Sequence, residues 1–200
     1  MQLVIISGPS GSGKTSLSER ILEKYKNSII LNTDNYYKTG IESIILSKII
    51  DCYFDRNISF NFKLLDQDLK FVLNKGFFNH SYSYNYKDKS INKYFKKIKN
   101  IKLVIIEGIF ATEIIKKYSP IINLLIQLNP SKETCMKRVI ERDCLERGKS
   151  KIIAYRDFSK GWEIFHKKNK NINYRDLIKN IFIKEEVDIN DILKIIREKD

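Results

Sequence analysis

The eight residues Gly8-Pro9-Ser10-Gly11-Ser12-Gly13-Lys14-Thr15 place three glycines, a lysine and a hydroxyl at the spacing G-x-x-x-x-G-K-[ST]. The backbone of such a loop can curl until successive N–H groups converge on phosphate oxygens, and a helix starting there adds the partial positive charge of its N-terminus. Lys14 then reaches the β and γ phosphates, and the Thr15 hydroxyl is placed to ligate Mg²⁺. Gly8, Ser10, Gly11, Ser12, Gly13 and Ser16 are the remaining candidate contacts to a nucleoside triphosphate. The apolar run Leu3 to Ser7 precedes the loop and a helical pattern from Ser16 to Lys24 follows it, which is the strand-loop-helix setting that this chemistry needs. A glycine-rich turn with an exposed lysine would leave three glycines in eight residues unexplained.

Two acids follow apolar runs. Asp34 comes directly after Leu31-Asn32-Thr33, at the carboxyl edge of a strand where open α/β sheets bind ligands. A carboxylate there can take the proton of an attacking hydroxyl; capping a turn is its other reading. Glu107 ends Leu103-Val-Ile-Ile and can hold Mg²⁺ directly or through water. Thr15, Glu107 and Asp34 are therefore the candidate metal set. Arg138 and Arg142 lie four residues apart on one helical face, with Arg147 rather more than a turn beyond. Guanidinium groups so placed grip phosphate oxygens and stabilise charge on a group in transfer. A solvated basic face paired with Glu141 and Glu146 is the plainer alternative. With neither an Asn-Lys-x-Asp nor an Asp-x-x-Gly motif, the chain does not read as a regulatory GTPase, and at 200 residues it has no room for a motor or AAA-type module. A small phosphotransferase remains.

The elements that position these groups follow from composition and period. The chain is 42% hydrophobic and 12% aromatic, enough to bury a core despite a net charge of +13. Ile reaches 34 residues against 2 Ala, and Lys 29 against 8 Arg, a bias that an AT-rich genome produces whatever the protein does. The charge is therefore poor evidence for nucleic-acid binding, and its densest run, Lys93, Lys96, Lys97, Lys99 and Lys102, reads as a solvated loop. Strand-length apolar runs at Leu3 to Ser7, Ser28 to Leu31, Leu103 to Ile106, Asn123 to Leu128 and Asn180 to Ile183 alternate with helical segments, which predicts an α/β, doubly wound parallel sheet.

Asn129-Pro130-Ser131 opens a helix that Gly148 closes. Phe62, Leu65, Leu69 and Val72 mark another that stops at Gly76, Ile192, Ile195 and Ile196 mark a last one, and Phe158, Trp162 and Phe165 read as a core-facing stripe. Segments 38–60 and 77–100 lack clear period and are expected to be pocket-forming insertions in a single domain, with an arginine-bearing lid at 138–150. Cys52, Cys135 and Cys144 show no metal-ligand spacing. With no signal-peptide core and no membrane-length apolar stretch, the expectation is a soluble cytoplasmic protein, with self-association left open.

Taken together these residues resemble the uridine/cytidine kinases, within the P-loop group that includes phosphoribulokinase, pantothenate kinase and nicotinamide riboside kinase. The resemblance runs through Asp34-Asn-Tyr-Tyr37, Phe54-Asp55, Phe60-Asn-Phe-Lys-Leu-Leu65, Glu107-Gly108-Ile109 and Arg142-Asp143…Glu146-Arg147-Gly148. It implies a P-loop kinase fold, ATP as donor with Mg²⁺, and the 5′-hydroxyl of uridine or cytidine as acceptor. Asp34 is implied as base, Lys14, Arg142 and Arg147 as stabilisers of the transferring phosphoryl, and Tyr37, Phe54 and Asp55 as contacts to the ribose. The family's Tyr-Asp-Phe-x-x-His-Ser aligns with Tyr84-Asn85-Tyr86-Lys87-Asp88-Lys89-Ser90, so Tyr84 is implied to stack on the base and Lys89 stands where the family has histidine. Val139 departs from an arginine, leaving Arg138 for the phosphates, and Lys149 departs from another. These departures bear on the acceptor, so a sister kinase for nicotinamide riboside, a sugar phosphate or another small alcohol is the alternative. A nucleotide-binding module without catalysis is a further one. His80, near the recognition segment, and His166 are read as ordinary surface or helix residues, with replacement of the missing histidine by His80 through a loop shift as the alternative.

Overall fold

The computed structural model describes residues 1–86, 88–170, 174, 177–184 and 188–197. Lys87, in the expected recognition segment, lies outside the described residues. Among the described residues seven strands and seven helices follow one another: β1 (Gln2–Ser7), α1 (Lys14–Lys24), β2 (Ser28–Asn32), α2 (Ile41–Ile49), α3 (Phe62–Lys75), β3 (Phe78–Asn85), β4 (Ser90–Ile98), β5 (Leu103–Glu107), α4 (Ile115–Tyr118), β6 (Leu124–Leu128), α5 (Lys132–Arg147), α6 (Lys151–Asn169), β7 (Asn180–Ile183) and α7 (Ile189–Arg197). The five expected strands form one parallel sheet in the order β2-β5-β1-β6-β7. β1 and β5 are buried along their whole length, as strands covered on both faces must be. On one face Leu3, Ile5, Val104 and Ile106 pack with Leu65, Leu69 and Val72 of α3. On the other, Val4, Ile6, Leu103 and Ile105 pack with Leu17 and Ile21 of α1 and Ile192 and Ile196 of α7. Each such side chain contributes about 1.5–3 kcal/mol of transfer free energy.

The helix boundaries follow the sequence signals. The Ser131 hydroxyl caps α5 by accepting from the Thr134 N–H, and α5 ends at Gly148. Asn61 caps α3 through the Leu64 N–H. Because the sheet is parallel, every carboxyl end faces one edge. The register pairs Glu107 of β5 with Ile6 of β1 and with Asn32 of β2, so the phosphate loop, Glu107 and the Asp34 turn open side by side.

Two expectations are corrected, the loop reading of the lysine-rich segment and the core stripe, and segment 38–60 gains defined structure. Segment 77–100 is not a loop but an antiparallel hairpin, β3 with β4. Lys93, Lys96 and Lys97 accordingly sit exposed on strand β4, where Lys93 and Lys97 lie over the rings of Tyr82 and Phe77 at 5.8 and 5.4 Å. Segment 38–60 carries α2 and two single 3₁₀ turns, Tyr53–Asp55 and Asn57–Ser59. The stripe on α6 divides: Phe158 is buried against Cys135 and Val139, whereas Trp162 and Phe165 are half-buried and line a cleft. Among the described residues no helix is long and apolar enough to cross a membrane.

Candidate active site

The phosphate loop closes on itself through Ser12 N–H to Pro9 O (3.2 Å), and α1 starts with Leu17 N–H to Gly13 O (3.0 Å). Gly13 has φ 93°, a left-handed conformation that a side chain would strain, and it turns the chain from loop into helix. Lys14 Nζ donates to Pro9 O at 2.9 Å. The Thr15 hydroxyl donates to Glu107 Oε1 at 2.9 Å, so two hard oxygen ligands meet at the head of α1. Glu107 is 1% exposed. Beside it Gly108, at φ 137°, lies against Thr33: a Cβ would fall 1.7 Å from the Thr33 hydroxyl, so no other residue fits this turn.

A cleft of about 870 Å³ runs along this edge and gathers most of the candidate residues. Ser10, Gly11, Gly13, Lys14, Thr15 and Ser16 line it from the loop, Asp34 and Glu107 from the strand ends, Tyr37, Phe54 and Asp55 from the first insertion, and Arg138, Arg142 and Arg147 from α5. Gly8 and Ser12 do not. A Cβ at Gly8 would meet Leu128 O at 2.6 Å, and Ser12 is buried with its hydroxyl unpartnered.

Asp34 sits in a single 3₁₀ turn after β2, where the Asn32 side chain accepts its N–H at 2.7 Å. The Tyr37 hydroxyl is 3.5 Å from Asp34 Oδ1. Tyr37, Phe54 and Tyr86 make an aromatic wall, with Tyr37–Phe54 and Phe54–Tyr86 centroids 5.0 and 5.2 Å apart, edge to face. Tyr84 does not line the cleft. It is buried behind this wall, with its hydroxyl donating to Lys38 O at 3.3 Å, and the residue on the same face two positions later, Tyr86, reaches the cleft instead. Lys89 is also absent from the lining: its ammonium donates to Tyr86 O and lies 5.1 Å over Phe54, fastening the hairpin turn. His80 is bonded to Asp68 at 3.2 Å and takes no part in the cleft.

The arginines are organised by Asp143, which the sequence places in the family motif but to which it gives no role. Asp143, 3% exposed, accepts from Arg142 (2.8 Å), Lys149 (3.0 Å) and, more loosely, Arg147 (3.5 Å). Glu141 and Glu146 are not their partners. Lys149 also reaches Asp157 of α6 at 3.1 Å, and the Arg147 guanidinium lies 4.6 Å over Tyr86. Burial alone would raise the Asp143 pKa, but these cations hold it below the usual carboxylate range.

Desolvation dominates the shifts of Glu107, Asp55 and Lys14. It pushes Glu107 up to about 7, aided by Asp34 and opposed by Lys14. It pushes Asp55 up to about 6, again with Asp34 adding and Lys149 and Arg147 opposing. It lowers Lys14, which Glu107 and Asp34 partly restore. A carboxyl whose folded pKa exceeds its unfolded value makes the protein lose stability as pH rises from the unfolded to the folded value. Tm of the metal-free protein should therefore fall between about pH 4.5 and 7, and Glu107→Gln should lose much of that slope while keeping the share due to Asp55. Thermal denaturation across that range checks it, and an identical slope in the variant would contradict the assignment.

A phosphate loop after the central strand of a parallel sheet ordered β2-β5-β1-β6-β7, with acids at the ends of two neighbouring strands, is the arrangement of the P-loop kinases. D-glycerate 3-kinase from Cryptococcus neoformans var. grubii has this fold, with a TM-score of 0.64 over 92% of this chain and 86% of that one, at 14% identity. Residues 3–161 match the Phosphoribulokinase / Uridine kinase family, and the chain belongs to it. Uridine kinase of Clostridium novyi is 28% identical over 150 residues, 74% of this chain and 71% of that protein. Uridine kinase of Ureaplasma parvum is 29% identical over 160 residues, 74% and 72% of the two chains. The protein is a kinase, and the family implies ATP as phosphoryl donor.

Proposed function

We propose that this kinase transfers the γ-phosphoryl of ATP to the 5′-hydroxyl of uridine or cytidine. One observation carries the reading: the cleft that holds Lys14, Thr15 and Glu107 also holds Asp34, Asp55 and the Phe54–Tyr86 rings, so donor and acceptor chemistries share one space. The relatives named uridine kinases support the choice of acceptor. Thr15 and Glu107, with Asp34 nearby, are oxygen donors suited to Mg²⁺, which when bound neutralises phosphate charge.

Asp34 takes the proton of the acceptor hydroxyl as its oxygen bonds to the γ phosphorus. The bond from that phosphorus to the β–γ bridging oxygen breaks and ADP leaves. Lys14, Arg142, Arg147 and Arg138 stabilise the charge spread over the transferring group. Asp55 accepts from the sugar hydroxyls, Tyr37 and Phe54 position the sugar, and Tyr86 offers the base a ring face. The three cysteines are free, which suits a cytoplasmic setting.

An ATP-consumption panel with uridine, cytidine, nicotinamide riboside, ribulose 5-phosphate and pantothenate tests the acceptor. Turnover is expected with a pyrimidine nucleoside. Turnover with another acceptor alone rejects the pyrimidine assignment, and ATP binding without turnover of any acceptor would favour a non-catalytic module.

A further inference from the structure

Helix α6 faces the cleft with Asp157, Phe158, Gly161, Trp162 and Phe165, and one of these five has no side chain. Gly161 lies in the interior of a 19-residue helix and is not among the glycines with positive φ, so conformational freedom does not explain it. A glycine there weakens the helix relative to alanine. What it provides is space. A Cβ at this position would lie 3.0 Å from Asp55 Oδ2, 3.1 Å from Cγ and 3.2 Å from Oδ1, and these are the three nearest atoms. The Asp55 carboxylate thus lies a few tenths of an ångström closer than it could to an added methyl. The backbone on the other side of the contact is pinned: Asp55 N–H and Arg56 N–H close a single 3₁₀ turn on Cys52 O and Tyr53 O, and the turn is entered through Cys52 at a left-handed φ of 50°. A collision would therefore be relieved by rotating the Asp55 side chain. Among the described residues no donor hydrogen-bonds this carboxylate, although it lines the cleft.

We propose that Gly161 is a positioning residue of the acceptor subsite: by lacking a Cβ it seats the Asp55 carboxylate against α6, where it can receive the acceptor's hydroxyls. This rests on the reading of Asp55 as an acceptor contact. Any side chain at position 161 moves that carboxylate and so discriminates against the acceptor, with no direct contact to the transferring phosphoryl.

The test is a double-mutant cycle of Gly161→Ala and Asp55→Ala with two readouts. The first needs no acceptor. In the Asp55→Ala background the added methyl meets no carboxylate, and the gain in helix propensity raises Tm by about 2–4 °C. In the parent protein the same substitution gains clearly less. Equal shifts in both backgrounds would overturn the contact. The second readout is acceptor recognition. Gly161→Ala should raise the KM for uridine by about tenfold, the cost of misaligning one charge-assisted hydrogen bond, and leave the KM for ATP in place. Trp162 is the chain's single tryptophan and lines the same wall, so its fluorescence should report acceptor binding without turnover. Adding Gly161→Ala to Asp55→Ala should raise KM no further. A KM rise that persists undiminished without Asp55, or no rise in either background, overturns the proposal. If both pyrimidine nucleosides are inert, the substrate reading fails, while the Tm cycle stands unchanged and the KM arm is run with whichever alcohol the panel identifies.

Discussion

Replacing Asp34 with asparagine is expected to lower kcat by about 10²- to 10⁴-fold, the range for loss of a positioned base, while ATP still binds. The substitution keeps the size of the side chain and the Asn32 cap on the residue-34 N–H, so the turn after β2 persists. What disappears is a basic oxygen and one negative charge. That charge raises the pKa values of Glu107 and Asp55, so its removal lets both ionise at lower pH than in the parent protein. Two measurements separate the roles. Single-turnover transfer reads the proton step, and calorimetric titration with ATP reads the donor site. Turnover within tenfold of the parent protein would remove Asp34 from proton transfer and leave it as a turn cap.

The phosphate loop and the strand ends were legible in the sequence because their physics is local. Glycine spacing fixes the cradle, and short apolar runs that alternate with helical segments and turn signals read as buried strands. The hairpin was not recognised, although Phe78, His80, Tyr82, Tyr84 and Tyr86 alternate on one face. Four of these five are His or Tyr, which rank as polar or near neutral, so their alternation with Asn and Ser carries little hydrophobic contrast and the period-2 signal is weak. The same alternation explains the error at the cleft. Tyr84 and Tyr86 share a face, and only packing against Lys38 and Asn35 decides that the first is an anchor and the second a surface. Asp143 stands in the family motif, but its role was hidden for a different reason: its three cationic partners lie within six residues along the chain, yet which acid of this charged helix turns inward depends on how α5 packs against α6. Gly161 follows the same rule, since its meaning lies in a side chain 106 positions away.

Lys14→Ala is expected to abolish transfer, lowering kcat/KM by about 10³-fold or more, as for other desolvated cations aimed at a phosphoryl group. The loop itself should survive. Its shape is held by Ser12 N–H to Pro9 O and by Gly11, where a Cβ would meet Cys135 O at 2.5 Å, and neither involves the lysine side chain beyond its bond to Pro9 O. Stability should change little, because two effects oppose each other. The folded protein bears the cost of desolvating Lys14, which its lowered pKa registers, while Glu107 and Asp34 lose a neighbouring cation when it goes. A large fall in Tm together with lost activity would therefore make Lys14 a structural residue. Lys14→Arg should not restore turnover: a planar fork is wider than an ammonium and cannot take the same place beside Pro9 O. Residual kcat/KM within tenfold of the parent protein in Lys14→Ala would mean that the charge facing the terminal phosphate comes from Arg138, Arg142 and Arg147 on α5 instead, and alanine at each of those three positions would then show the large loss.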